Sequence, residues 1–431
     1  MNNNKPKNML IVDRLRDDIT INSNNMGSFS GMPLRTQDII QDINIKQNNN
    51  IKDLCIFRDT IKTSDKKSDK ILDSYVESQD NYNNLANISN VTKTLTTDIN
   101  NYEINNISKI GLFFLNNLSN IIKIPFTVNP LGIYIIFAVL YIASDGNSEI
   151  EIKKYFDFSK RESLFNNLNN ILTNLKNISD YIKFTNIILF SKDLNHDSKF
   201  IELMKNLVIF KTIDQQNIKQ ECNSINKFIN KTLDSSMKNM VTCDNLTNMS
   251  IILLNSMSIT PIWKYKFLIS NKIMYVNNQT FGYYKDKNIE MLEIPSIDNK
   301  LIFGIITNNI PKLTLDILNT YISNIKPKQF SQVIIPIFKT QTKLRYNNFL
   351  KTSNMNTVFI DLNISKFITD KCNIDDVIQN IEINITSSHN STNNFELNKN
   401  SNIFNMIDKT FVYYLRQNNS IFIYGYYCAK I

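Results

Sequence analysis

The run Leu253-Leu254-Asn255-Ser256-Met257-Ser258-Ile259-Thr260-Pro261-Ile262-Trp263-Lys264-Tyr265-Lys266-Phe267 carries more information than any other part of this chain. An apolar stretch from Ile251 to Leu254 feeds a lone Asn255, weak alternation follows, and Thr260-Pro261 breaks the pairing. The pattern predicts a buried strand that stops at a turn. Trp263, the only tryptophan, comes after the turn as an aromatic anchor, with Phe267 beyond it.

Further motifs fall in order on either side. Upstream lie Asn129-Pro130-Leu131-Gly132-Ile133, then Phe137-Ala138-Val139-Leu140-Tyr141 and the turn Asp145-Gly146-Asn147-Ser148. Downstream come Leu292-Glu293-Ile294-Pro295 and Ile335-Pro336-Ile337-Phe338-Lys339. Near the end stands Asp408-Lys409-Thr410-Phe411-Val412-Tyr413-Tyr414-Leu415-Arg416, followed by Ile421-Phe422-Ile423-Tyr424-Gly425. Each is a weak signal, but their order and spacing together resemble the serpin family. There a helix opens on Ser-Pro-x-Ser-Ile and closes on Gly-Ala-Lys-Gly-Asn-Thr, and a sheet strand carries Asn, a Phe-Lys-Gly turn, Trp and Phe. Leu-Glu-Leu-Pro, Leu-Pro-Lys-Phe-Lys and a closing strand pair follow. The departures fall at Ser256 to Pro261. The resemblance implies an α+β serpin fold with a large central, mostly antiparallel sheet, two smaller sheets and a helical N-terminal half.

The chain has 431 residues, 42% of them hydrophobic, which is enough for a large core. Abundant Asn, Ile, Lys, Phe and Tyr, with only 8 Gly, suggest an AT-rich coding genome, and with the resemblance they point to a large DNA virus. The net charge of +9 comes from lysines scattered among acids, without a basic stripe interleaved with aromatics, so nucleic acid is not an expected partner. Five cysteines (Cys55, Cys222, Cys243, Cys372, Cys428) show no Cys-x-x-Cys spacing. That argues against a disulfide framework or a structural zinc site and fits idle thiols in a reducing compartment. No apolar secretory region follows the first residues. The longest apolar run, residues 131–143, is too short to span a bilayer and predicts a buried core helix. The expectation is a monomer inside the host cell, in cytoplasm or virion, without membrane attachment, metal or cofactor.

Residues 1–104 are polar and Asn/Asp/Lys-rich, with short apolar islands at 9–12 and 54–57, and read as a low-complexity, largely disordered arm. Residues 105–431 hold the serpin-like domain. Ile107, Ile110, Phe113, Phe114 and Leu118 recur at helical spacing, as do Phe165, Leu168, Ile171, Leu172 and Leu175. Residues 182–190 predict a strand of the central sheet, and Ile225-Asn226-Lys227-Phe228-Ile229 resembles the family's Ile-Asn-x-Trp-Val helix. Helices early and strands late make an α+β arrangement.

Enzymatic readings find little support. Only His196 and His389 could serve a histidine-dependent triad, and neither stands near a Gly-x-Ser-x-Gly elbow or a reactive-cysteine motif. The glycines are single and dispersed, so no phosphate-cradling loop is present. Asp375-Asp376 is a carboxylate pair at an expected strand edge or turn, where a solvated charge is the ordinary state.

The resemblance implies a mechanism with demands on particular residues. A serpin exposes a loop that a serine protease attacks. After acylation the cleaved loop enters the central sheet as an extra strand, a β-augmentation within one chain. The fold before cleavage is metastable, and insertion releases the stored free energy. The attached protease is distorted, and deacylation stalls without a formed oxyanion hole. Insertion favours short side chains at alternate loop positions, because a strand sends every second residue inward.

With residues 377–385 aligned to the strand before the loop, the hinge is Ser387, Ser388, His389, Asn390, Ser391, Thr392, Asn393 and Asn394, where inhibitory serpins resemble Glu-Glu-Gly-Thr-Glu and alanines. One register turns Asn390, Thr392, Asn394 and Glu396 inward, and a one-residue slip buries Ser391, Asn393, Phe395 and Leu397 instead. Burying an unpaired amide costs roughly 1–3 kcal/mol, and neither register suits fast insertion. Counting back from Phe411 places the scissile bond at Lys399-Asn400, and counting forward from the hinge places it near Ile403. The candidate region is therefore Lys399, Asn400, Ser401, Asn402 and Ile403. Lys399 would suit a trypsin-like pocket, although an ordinary loop lysine is an equal reading.

The family also builds a polar cluster beneath the opening sheet from two serines, an Asn and a His, with the Trp nearby. The matching positions hold Asn129, Gly132, Asn255 and Gln379, with Trp263 above. Amides both donate and accept, so a bonded cluster can survive the loss of the His. A Lys–Glu pair that many members carry at the hinge base is replaced by Ile337 and Ser387. Two functions follow: a serpin-type inhibitor of a serine protease, acting through the loop at 387–403, or a non-inhibitory binding or structural protein on the same fold.

Overall fold

The computed structural model describes residues 19–22, 85–235, 237–387, 395–397 and 402–429. In chain order the elements are β1 (Ile19–Asn22), α1 (Leu85–Ile121), β2 (Phe126–Val128), α2 (Pro130–Ala143), α3 (Gly146–Phe156), α4 (Arg161–Lys176), β3 (Ile182–Ser191), α5 (Ser198–Met204), β4 (Ile209–Ile213), α6 (Ile218–Leu233) and α7 (Cys243–Leu246). The strand-rich half follows: β5 (Ile251–Ile259), β6 (Leu268–Ser270), β7 (Ile273–Lys285), β8 (Ile289–Pro295), β9 (Ile302–Asn308), α8 (Leu315–Ser323), β10 (Lys326–Pro336), β11 (Phe338–Arg345), α9 (Asn347–Thr352), β12 (Ile374–Ile385), β13 (Ile403–Asn405), β14 (Phe411–Gln417) and β15 (Ser420–Tyr427). The domain boundary expected at residue 104 falls inside α1, and β1 belongs to the same compact unit as residues 102–431.

The central sheet runs β1-β11-β12-β5-β3-β4. Its pairs are antiparallel except β12–β5 and β3–β4. All nine residues of β5 are buried, as expected for a strand covered on both faces. The second path runs β13-β10-β7-β8-β9-β14-β15-β2. The two smaller sheets expected from the resemblance are joined in it through β7, which pairs β10 over residues 273–283 and β8 only over residues 282–285.

Two helices fix the faces of the central sheet. α2 is apolar all round and buried along its length except at Ile142, which suits a helix enclosed by protein. Pro130 starts it, and the Asn129 side chain caps it by accepting from the Gly132 N–H at 3.1 Å. α2 packs against β3 and β5. On the opposite face lies amphipathic α6. It buries Cys222, Ile225, Ile229 and Leu233 in a cluster with Ile187, Leu189, Ile252, Leu254 and Ile378 of the sheet.

The second path carries a buried ion pair within the Leu-Glu-Ile-Pro motif. Glu293 accepts from Arg416 Nε at 2.7 Å and Nη2 at 2.6 Å, and from the Tyr414 hydroxyl at 2.5 Å. These bonds tie β8 to β14 across the intervening β9.

Candidate functional site: the seam of the central sheet

β12 and β5 lie side by side from Ile374 opposite Ile251 to Ile383 opposite Ile259. This parallel seam lies at the middle of the central sheet. Across its middle runs a row of amides: Gln379 stands opposite Asn255, and Asn255 opposite Asn186 of β3. Apolar rows flank it, Val377, Leu253 and Ile188 on one side and Ile381, Met257 and Phe184 on the other. Strand alternation puts all three rows on one face.

Nearly every polar atom of the cluster is satisfied. Gln379 Oε1 accepts from the Asn129 backbone N–H and from the Tyr346 hydroxyl, each at 3.0 Å. Gln379 Nε2 donates to the Asn129 carbonyl at 2.7 Å and to Asn255 Oδ1 at 2.9 Å. Asn255 Oδ1 also accepts from Asn129 Nδ2 at 3.2 Å, while its own Nδ2 donates to Asn186 Oδ1 at 2.7 Å. Burial pushes the Tyr346 hydroxyl well above its ordinary value and keeps it a donor. Asn186 Nδ2 has no partner. Gln379 thus makes two acceptor and two donor bonds. Gly132 is required here, because a Cβ on it would lie 2.1 Å from Asn255 Nδ2. The Asn255 amide fills the space in which a side chain at position 132 would lie.

Both ends of the seam are tied across from the flanks of β12 to the flanks of β5. At the upper end Trp263 Nε1 donates to the Thr386 carbonyl at 2.7 Å, and Ser387 Oγ donates to the Phe267 carbonyl at 2.6 Å. The Trp263 ring lies 5.8 Å from Phe303 and 6.5 Å from Phe267, so it closes the top of the sheet onto β9. At the lower end Asp375 Oδ2 accepts from the backbone N–H of Ser250 at 2.6 Å and of Ile251 at 3.0 Å. Asp376 is buried between Arg345, at 2.8 and 3.0 Å, and Asn245 Nδ2 at 2.8 Å. Burial raises its carboxyl above the ordinary value, and Arg345 offsets only part of that rise. The expectation of a solvated pair is therefore corrected: both aspartates bond inward, because Asp375 meets the N–H groups of Ser250 and Ile251 and Asp376 meets Arg345 and Asn245.

The hinge-base ion pair of the family is replaced by two separate contacts. Ser387 makes the carbonyl bond already described. Lys339 meets Glu382 at 3.2 Å, joining β11 to β12.

On the front face the segment after α6 passes over the seam as a strap. Lys343 Nζ of β11 donates to the Asn239 carbonyl at 3.1 Å, and Asn380 Nδ2 of β12 donates to the Met240 carbonyl at 3.4 Å. The strap then turns through α7, bonds Asp376 through Asn245, and enters β5.

Of the loop, Ser387, residues 395–397, Asn402 and Ile403 are described; Ser388, His389, Asn390, Ser391, Thr392, Asn393, Asn394, Lys399, Asn400 and Ser401 lie outside the described residues. The Phe395 ring meets Tyr275 edge-on at 5.1 Å, and the Glu396 carbonyl accepts from Gln332 Nε2 at 3.0 Å. The Asn402 carbonyl accepts from Ser331 N–H at 2.9 Å and Oγ at 2.8 Å, and Ile403 pairs opposite Gln332.

Asn129, Gly132, Asn255 and Gln379 are thus brought together, with Trp263 above them. Sequence reasoning misses Asn186, Tyr346 and the strap. Asn186 has a readable signal, since like Asn255 it interrupts an apolar strand.

The profile of the serpin (serine protease inhibitor) family matches residues 123–429, and the chain belongs to that family. It is 22% identical over 289 residues to a serpin-like protein of Acanthamoeba polyphaga mimivirus, covering 58% of this chain and 70% of that one. Among solved structures it is similar to native protease nexin-1 with heparin, at TM-score 0.66 and 15% identity over 78% of this chain and 100% of that one. Uncleaved ovalbumin gives TM-score 0.66 and 14% identity over 76% of this chain and 100% of its own. A specific serpin of the insect Tenebrio molitor gives 0.64 and 17% over 78% and 98%. The chain is a divergent serpin of α+β fold, and the mimivirus relative supports a viral origin. Among the described residues no helix is long and apolar enough to cross a membrane.

Proposed function

We propose that this protein inhibits a serine protease by offering residues 387–403 as bait and taking the cleaved segment into the seam between β12 and β5. The observation that carries the reading is the seam itself. The two strands pair directly from Ile374/Ile251 to Ile383/Ile259, so the slot is closed before cleavage, as an insertion mechanism requires. A trypsin-like target reading Lys399 is the favoured version. Asn402 and Ile403 are bonded to β10, which keeps them from the extended, free geometry that a protease cleft needs and favours Lys399-Asn400 over a bond near Ile403. The chain would act as a monomer in a reducing compartment, in line with free Cys222, Cys243, Cys372 and Cys428.

A second reading, a non-inhibitory binding protein, is favoured by the docked loop. Phe395 on Tyr275 and Glu396 on Gln332 must detach before insertion, and the inward positions Asn390, Thr392, Asn394 and Glu396 are polar. Incubation with a panel of serine proteases separates the two. A covalent complex that survives SDS, with cleavage after Lys399, is expected for the inhibitor. Clean loop cleavage across the whole panel, with no complex and no rise in melting temperature, overturns it in favour of the second reading.

A further inference from the structure

The two outer flanks of the central sheet are finished differently. β4, a strand of five residues, ends one flank. On the other flank β11 has eight residues, and β1 pairs antiparallel with it, from Ile19 opposite Leu344 to Asn22 opposite Gln341. An open edge is a row of free N–H and C=O groups, which proteins commonly guard with charged side chains. The polar side chains of β11 are committed elsewhere. Lys339 meets Glu382 at 3.2 Å, Gln341 Nε2 donates to Glu382 at 2.5 Å, Lys343 donates to the Asn239 carbonyl, and Arg345 holds Asp376. On the opposite face Thr342 Oγ accepts from the Thr127 N–H at 3.1 Å, and the Thr340 and Thr127 hydroxyls lie 3.5 Å apart. With both faces engaged, β11 presents bare backbone on its outer side, and β1 is what covers it.

We propose that the outer edge of β11 is a self-association surface, that its partner is the same edge of a second copy of this chain, and that β1 masks it. The edge already accepts an antiparallel strand. A two-fold axis normal to the sheet at Thr342 brings in a second β11 antiparallel, with like faces on the same side, so that two central sheets become one. That register sets Thr342 opposite Thr342, Gln341 opposite Lys343, Thr340 opposite Leu344 and Lys339 opposite Arg345. Like charges directly opposite each other repel. Here Lys339 and Arg345 each bring a carboxylate of their own chain, Glu382 and Asp376.

β1 has only four residues, and so short a ladder holds because it belongs to the same chain as the edge it covers. Residues 23–84 join it to α1, so a single cut among them turns an intramolecular strand into a free peptide. The β11 of a second copy offers a longer ladder than β1 does. The full chain is therefore the masked monomer, and the cut chain is the one competent to associate. Nothing in this requires that the protein inhibit a protease.

The test places the recognition site of a sequence-specific protease between Met26 and Gly27 of the full chain, where the compact unit holding β1 breaks off. After cleavage the N-terminal fragment is removed by gel filtration. Sedimentation equilibrium is run on cut and uncut protein over about a hundredfold range of concentration. The uncut chain should be a monomer, and the cut chain should reach twice that mass. An excess of a synthetic peptide spanning residues 15–26 should return the cut chain to monomer. Gln341→Lys keeps a donor for Glu382 but opposes Lys343 of the second copy, so it should hold the cut chain monomeric without lowering its melting temperature. Hydrogen exchange of residues 341–344 should quicken by about tenfold or more in the cut chain at low concentration and slow again in the dimer. A cut chain that stays monomeric throughout, an uncut chain that dimerises equally, or a dimer that neither the peptide nor Gln341→Lys dissolves overturns the proposal. Failure to inhibit any protease would instead strike the inhibitor reading and leave these readouts intact.

Discussion

The two ends of the β12–β5 seam are closed by different chemistry. The lower end is closed by carboxylates: Asp375 on the N–H groups of Ser250 and Ile251, and Asp376 on Asn245, while the Arg345 partner of Asp376 lies on the other side, in β11. The upper end is closed by neutral donors to carbonyls, Trp263 to Thr386 and Ser387 to Phe267. Hydrogen bonds to charged groups contribute about 1.5–3 kcal/mol against about 0.5–1.5 for neutral ones. The seam is therefore weakest at the end that adjoins the hinge. On the proposed inhibitor reading, the stronger closure stands where the inserted strand would arrive last. The middle, with its amide row, is common to both ends.

If the middle is rigid, Gly132→Ala should give the largest loss, about 3 kcal/mol from overpacking against Asn255. The double variant with Asn255→Ala should recover part of it in a denaturation cycle. Equal losses in single and double variants would mean that the close approach is not what demands the glycine. Asp376→Ala should cost about 2–3 kcal/mol, below the figure for a fully buried pair because Arg345 is 39% exposed. That loss should appear in urea unfolding with no change in how the loop is cleaved.

Trp263→Phe should cost about 1 kcal/mol by leaving the Thr386 carbonyl without its donor. It should also loosen the upper end, so that nicking the loop raises the melting temperature faster than in wild type. Ser387→Ala should act in the same direction with a smaller loss, below about 1 kcal/mol. If Asp376→Ala speeds uptake and Trp263→Phe does not, the ends have been ranked in the wrong order.

The smallest effect is in pH. Burial raises the folded carboxyl of Asp376, so its contribution is fully present below the unfolded value and is lost as pH rises through the folded one. Asp376→Asn, neutral throughout, should compare worst with wild type in acid and improve relative to it toward neutrality. Urea midpoints between about pH 3 and 7 would show it, and the opposite slope would mean that Arg345 outweighs burial.

Much of this site is legible in the amino-acid sequence. Asn255, Gln379, Asn129, Gly132 and Trp263 each sit at a recognisable break in an apolar pattern, and the family resemblance joins them. Asn186 carries the same signal but matches no motif of the family's cluster. The letters of Asp375 and Asp376 alone suggest a wet turn; only the packing of distant segments places Asp375 on the N–H groups of Ser250 and Ile251 and Asp376 on Arg345 and Asn245. β1 is hidden for a similar reason. Ile19-Thr20-Ile21-Asn22 alternates for only four residues, and what makes it a strand is β11, with Ile19 opposite Leu344 and Ile21 opposite Thr342.

By itself the sequence determined what local periodicity and short-range caps can specify: the enclosed apolar helix that begins at Pro130, the amphipathic face of α6, the strand that ends at Thr260-Pro261, and the order of motifs that marks a serpin. The tertiary structure decided which strands meet, and with that everything about the seam. The 2.9 Å bond between Gln379 and Asn255 and the strap above Asn380 depend on pairing across long stretches of chain. Such pairing is selected by burial and by the satisfaction of every enclosed polar group at once, a condition that no local window of residues contains.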